Sequence, residues 1–168
     1  MELFTDHGYD ATGTAQIAAR AGVSEMTLFR HFASKEALLL ADPFDPLIAE
    51  VVRARPAHEP PMRALVEGIR QTWAEVDAES ITALRIRLRM VVAATSLRGA
   101  VERNSEATIE ALIGALSDRG VAPVAARVAA TAVISGLSVA LLDWAQSEHA
   151  TRGDALAHAL DVLGGVNA

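Results

Sequence analysis

Apolar residues recur along nearly the whole chain at the three- and four-residue spacing of a helix, and no stretch alternates apolar with polar at period two. The expected fold class is all-α. Leu3 and Phe4 belong to a first helix that stops near "DHGY", where Gly8 can take the left-handed conformation that ends helices. In "TGTAQIAARAG", Thr12, Gly13 or Thr14 can cap a short second helix. Gly22 punctuates it, Ser24 is placed to cap a third helix through Phe32, and Ser34 can start a fourth that buries Leu38 and Leu39. "ADPFDP" then breaks the chain, because Pro43 and Pro46 each remove a backbone donor. Further helices are expected over 46–53, 61–76, 79–94, 105–119, 123–147 and 152–163. "RPAHEPP" reads as a short ordered joint, and "TSLRG" and "DRGVAP" read as loops.

Within residues 121–142 the only charge is Arg127, so a membrane span has to be weighed. The stretch is rich in Ala, Ser, Thr and Gly rather than in Leu and Ile, which favours a buried helix of a water-soluble bundle. Val124, Val128, Ile134, Leu137, Val139, Leu141 and Leu142 spread around most of its circumference, implying cover on more than one side. A helix from a second chain is one way to supply it.

The two helices joined at Gly22 have the spacing of a helix-turn-helix, with Ile17, Ala18, Ala21, Val23, Leu28 and Phe32 expected to face inward. Met26, Thr27 and Arg30 lie opposite, flanked by Phe29 and His31. One exposed face of this kind suits a helix lying in the major groove of DNA. Arg30 has the planar fork that can donate twice to guanine, Thr27 can bond phosphate or touch a thymine methyl, and His31 and Lys35 can meet phosphates. Many helical proteins meet the same pattern, in which case Phe29 and Phe32 are simply core. Charge narrows the reading: the net charge is −6, and up to residue 42 the bases Arg20, Arg30 and Lys35 face six acids. Any DNA contact must come from a small directed basic face.

Residues 3–41, "LFTDHGYDATGTAQIAARAGVSEMTLFRHFASKEALLLA", go beyond that pattern: they resemble the DNA-binding domain of the TetR family of transcriptional regulators, with Phe4, Gly8, Tyr9, Ile17, Gly22, Val23, Leu28, Phe32 and Lys35 in register. The resemblance implies an N-terminal helix-turn-helix domain over 1–42 and a helical ligand-binding and dimerisation domain over 43–168. It implies double-stranded operator DNA, a homodimer and a small-molecule effector as partners, with Thr14, Thr27, Phe29, Arg30, His31 and Lys35 at the DNA. The role it implies is a repressor released by a small apolar or acyl-type effector. Three residues depart from the family pattern. Ala15 stands where Arg or Lys is frequent, Glu25 brings a negative charge to the recognition helix, and Phe29 replaces a more usual Tyr. Each weakens backbone contact. The family also carries a basic arm and a longer first helix, so a shortened first helix is expected here.

From residue 43 the likeness is to the general layout of family members that bind acyl-CoA-like molecules. Such ligands need an apolar pocket with cations at one end. Arg85, Arg87 and Arg89 are the candidate cations, with Arg98 and Arg103 close behind; Arg85 and Arg89 lie one helical turn apart on one face while Arg87 points elsewhere, and Trp73, Met90 and Trp144 are candidate pocket walls. The other reading of the arginines is a solvated face paired with Glu75, Asp77 or Glu79, and each large apolar side chain can equally be core.

No catalytic constellation is present: the sequence lacks a nucleophile elbow, a phosphate loop and an HExxH motif, so no enzyme activity and no cofactor are expected. The chain has no Cys, and His7, His31, His58, His149 and His158 lack metal-ligand spacing. Residues 1–15 do not read as a secretory signal, which makes the cytoplasm the expected compartment. Two other readings stay open from the residues: an interaction protein whose DNA unit has weakened, and a helical small-molecule carrier or enzyme.

Overall fold

The computed structural model describes residues 2–40, 45–147 and 152–165. Among these all regular structure is helical: α1 Glu2–His7, α2 Thr14–Arg20, α3 Glu25–His31, α4 Lys35–Leu40, α5 Asp45–Ala54, α6 Pro61–Ala74, α7 Ala78–Ala93, α8 Arg98–Asp118, α9 Pro123–Gln146 and α10 Arg152–Gly164. The start of the "ADPFDP" break, the expected domain boundary after residue 42, and His149 lie outside the described residues.

Local chemistry explains most of the boundaries. Pro61 and Pro123 occupy the first turns of α6 and α9, where the missing N–H is no loss. Asp77 caps α7 by accepting from the Ser80 N–H and hydroxyl, both at 2.8 Å, and these bonds hold its carboxyl below the usual carboxylate range. Gly8 and Gly22 have φ of +81° and +70°, a conformation that costs a side-chain-bearing residue free energy.

One boundary differs from expectation. "TSLRG" is a 3₁₀ turn over Thr95–Leu97 running straight into α8, which begins at Arg98 rather than near 105. Burial overrides the loop-like composition here: Leu97 and Ala100 are sealed against Phe4, Tyr9, Leu39 and Ala94. That second apolar cluster ties the N-terminal helices to the α7–α8 corner, and Ser96 Oγ adds a 2.7 Å hydrogen bond to Asp10.

The main core lies among α5, α6, α8, α9 and α10, with Val52, Leu65, Ile69, Leu112, Leu116 and Val133 buried. The "RPAHEPP" joint is ordered, as expected. Arg55 holds Glu59 through two hydrogen bonds of 2.9 and 2.5 Å, and Arg119 donates to the carbonyls of Arg55, Pro56 (2.9 Å) and Glu59 (3.2 Å). α9 is long and apolar enough to cross a membrane by length and composition. It packs instead on α6, α7, α8 and α10 of its own chain, and Arg127 pairs with Glu110 at 3.1 Å.

At Gly68, α6 packs tightly against Val52 of α5. A Cβ built there lies 2.6 Å from Val52 Cγ2 and 3.4 Å from the Val52 backbone, and Val52 is fully buried. Gly68→Ala therefore destabilises the protein although alanine is the better helix former. Overpacking of about 1 to 3 kcal/mol outweighs about 1 kcal/mol of helix propensity. Urea unfolding of the variant checks this, and a gain in stability would contradict the close approach.

Tyr9 makes the second cluster sensitive to alkali. Burial, reinforced by the Glu36 and Asp10 carboxylates, pushes its phenol up to about 12. Because the folded state keeps the phenol neutral while the unfolded chain ionises it near pH 10, this contribution is complete below about pH 10 and is lost as pH rises toward 12. The hydroxyl has no hydrogen-bond partner among the described residues. Tyr9→Phe keeps the ring, so its stability is expected to fall less steeply above pH 10 than that of the unaltered chain in parallel denaturant titrations.

Candidate nucleic-acid interface and effector cavity

The turn between α2 and α3 is set by Gly22, whose N–H and that of Val23 return to the carbonyls of Ala19 and Ala18 at 3.1 and 3.0 Å. Ser24 then caps α3 by accepting from the Thr27 N–H at 3.1 Å. Leu28 and Ala18 are buried between the two helices, with Ile17 and Phe32 partly buried. Ala21 and Val23, expected inside, are exposed, Val23 at 39%. Ala21 lines a surface groove with Leu3, Phe4 and Ile17.

The outer face of α3 carries Met26, Phe29, Arg30 and His31, all exposed, with Met26 at 85%. Arg30 and His31 have no hydrogen bond or ion pair with the described residues, so both are available to a partner. The other expected contacts are engaged locally. Thr27 is partly buried, with its hydroxyl 3.0 Å from that of Ser24, and the Thr14 hydroxyl donates to Glu25 at 2.7 Å. This last bond crosses from α2 to α3 and holds the Glu25 carboxylate at the start of α3. Lys35 Nζ sits 4.3 Å above the Tyr9 ring. Met26, the most exposed apolar side chain on this face, is absent from the sequence-based contact set, though its place opposite Leu28 is legible in the helical period.

Residues 1–41 match the family model described as bacterial regulatory proteins, tetR family. This stretch is similar to the TetR-type DNA-binding domain. Among curated relatives, the HTH-type transcriptional regulator TcmR of Streptomyces glaucescens is 37% identical over 78 residues, 45% of this chain and 34% of that one. The HTH-type transcriptional activator FasR of Mycolicibacterium smegmatis is 55% identical over 40 residues, 24% of this chain and 18% of that one. The chain thus spans about a third or less of the length of these relatives. Among solved structures, the TetR family transcriptional regulator PfmR from Thermus thermophilus aligns over 99% of this chain and 96% of that one, at 23% identity and a TM-score of 0.43.

A cavity of about 160 Å³ opens among α4 to α9. Its wall is mainly apolar, including Leu40, Ile69, Trp73, Leu88, Val91 and Leu137, with Arg87, Asn104, Ser105, Thr108 and Ser138 as the polar positions. Of the candidate pocket walls Trp73, Met90 and Trp144, only Trp73 lines it, and of Arg85, Arg87 and Arg89 only Arg87 does. Met90 packs on the second apolar cluster. Arg85 donates to the carbonyls of Trp144 (3.4 Å) and Ser147, its guanidinium 5.2 Å from the Trp144 ring, and Arg89 donates to Ala145 at 2.7 Å. Those carbonyls lie at the end of α9, where that of Trp144 also accepts from the Ser147 N–H at 3.2 Å, and the two arginines close that helix instead of facing the cavity. The expected pairing of these arginines with Glu75, Asp77 or Glu79 is likewise replaced by these carbonyls.

Arg87 reaches the cavity because Leu84, Arg87, Leu88 and Val91 follow the i, i+3, i+4, i+7 spacing of one helix face. That phase is present in the sequence. The one-turn spacing of Arg85 and Arg89 points to the wrong side of the same helix.

Proposed function

We propose that the protein is a homodimeric, ligand-responsive transcriptional regulator that holds operator DNA through α3 and is released from it, as a repressor, when a small amphipathic molecule enters the cavity. The observation that carries this reading is Leu40. It lies on α4, directly after the DNA-binding helices, packs on the cluster that includes Phe4, Tyr9 and Leu97, and also lines the cavity. A ligand that fits one position of α4 better than another shifts the orientation of α3, and DNA affinity changes by the same coupling free energy. On this reading residues 1–42 act as the DNA-binding domain and 43–168 as the ligand-binding and dimerisation domain, in the cytoplasm.

Dimerisation is supported by the outer face of α9. Val124, Val128 and Val139 are 77, 63 and 71% exposed, and with Thr131 and Ser135 they form one stripe beside Val162 of α10, itself 60% exposed. An apolar stripe of this length is suited to the same stripe of a second copy, as a two-fold interface requires. Val128→Asp combined with Val139→Asp is expected to give a folded monomer in sedimentation velocity.

Mobility shifts with DNA from upstream of the protein's own gene, titrated with salt, test the whole reading. Binding that weakens steeply as salt rises, and is lost in the monomeric double variant, is the expected result. Salt-independent or absent binding by the dimer would leave an interaction protein built on this fold.

A further inference from the structure

Met26 is the most exposed large apolar side chain among the described residues, at 85%, and it is the second residue of α3. Arg30 follows four residues later, one turn along the same face. A helix lying in the major groove touches base edges with the residues near its N-terminus. Thr27, which the sequence offers for a thymine methyl, is instead partly buried, with its hydroxyl 3.0 Å from that of Ser24. Glu25 on the other side is tied to Thr14 of α2 at 2.7 Å. Met26 is therefore the side chain of the first turn that is least held by its own chain.

A thioether has no donor and only a weak acceptor, so hydrogen-bond readout of a base is closed to it. What the major groove offers an apolar group is the C5 methyl of thymine. Resting on the reading of α3 as the helix that holds DNA, we propose that Met26 is a specificity-determining residue that selects thymine by packing on this methyl group. Its unbranched chain with three rotatable bonds can follow the methyl without an exact fit. Four helical residues advance about 6 Å, against about 3.4 Å per base pair, so the methyl lies within about two base pairs of the guanine that Arg30 reads. The contact removes apolar surface of both partners from water, on the scale of one buried methyl group. That is a factor of about four in affinity per half-site.

The test deletes the methyl from the DNA. In the duplex from upstream of the protein's own gene each thymine is replaced in turn by deoxyuridine, which keeps every hydrogen-bonding group and lacks only the methyl. The full, unaltered chain is expected to lose about fourfold in affinity at one thymine of a half-site, and about fifteenfold where both half-sites are changed. Met26→Ala is expected to bind the thymine and uracil duplexes alike, and Met26→Leu to keep part of the difference. Arg30→Ala keeps the difference while losing its guanine preference. Because Met26 is exposed, Met26→Ala is expected to leave the urea midpoint unchanged, so its effect reports on DNA alone. If no thymine methyl matters to the unaltered chain, or if a uracil effect survives Met26→Ala, the proposal is overturned while the role of α3 stands. Absence of salt-dependent binding to the unmodified duplex sinks that role and the proposal with it.

Discussion

Arg30→Ala is expected to lower operator affinity by roughly 30-fold to 10⁴-fold and to abolish the preference for one base pair in each half-site. Arg30 is exposed on the outer face of α3, and no described residue holds its guanidinium. A bidentate contact to guanine contributes about 1 to 3 kcal/mol of discrimination, and a dimer makes the contact twice. Lys35→Ala should behave differently. Its ammonium sits over the Tyr9 ring, and on the proposed reading it meets phosphate and not a base edge. Its loss weakens all sequences alike and lowers the salt slope by about one per subunit. Competition binding against a set of single-base variants, repeated at several salt concentrations, distinguishes the two. Matching losses of specificity in both variants would contradict the division of labour.

Trp144→Ala is expected to cost about 3 to 5 kcal/mol of stability, the largest loss from a single substitution in the rear half. The side chain is 2% exposed near the end of α9 and lies beneath the Arg85 guanidinium. Removing it leaves a cavity and also frees Arg85 from one of its contacts, so Arg85→Ala should cost less in the Trp144→Ala background than alone. Arg85→Ala and Arg89→Ala singly are expected to cost about 1.5 to 3 kcal/mol each, as charge-assisted bonds to helix-end carbonyls. Denaturant titration of the double-mutant cycle measures the coupling. Additive costs would show that the stacking at 5.2 Å contributes nothing of its own.

The DNA-contact face is legible from residues that lie close together in the chain. Ser24, Gly22 and Leu28 act within two turns of one another, and each has one dominant local role: cap, left-handed turn, buried knob. Met26 escapes such a reading because an exposed methionine has no polar chemistry to announce it. Ala21 and Val23 are exposed against expectation for a different reason: their burial depends on how much of α2 its neighbours cover, which periodicity does not report.

The ligand side is less legible. Arg85, Arg87 and Arg89 are nearly equivalent as a string, and their different fates follow from a helix end 56 to 62 residues away in sequence. The start of α8 escapes the local pattern because Leu97 is buried by Phe4 and Leu39, residues of another part of the chain.

Taken alone, the amino-acid order determined the helical class, the caps and left-handed glycines, and the outward face of α3, since each rests on interactions within a few residues. Tertiary structure alone decided which arginine faces the cavity, how large that cavity is, and that Leu40 borders both it and the DNA-binding helices. Those are properties of distances between helices that side-chain packing sets once the chain has folded, and no local pattern encodes them.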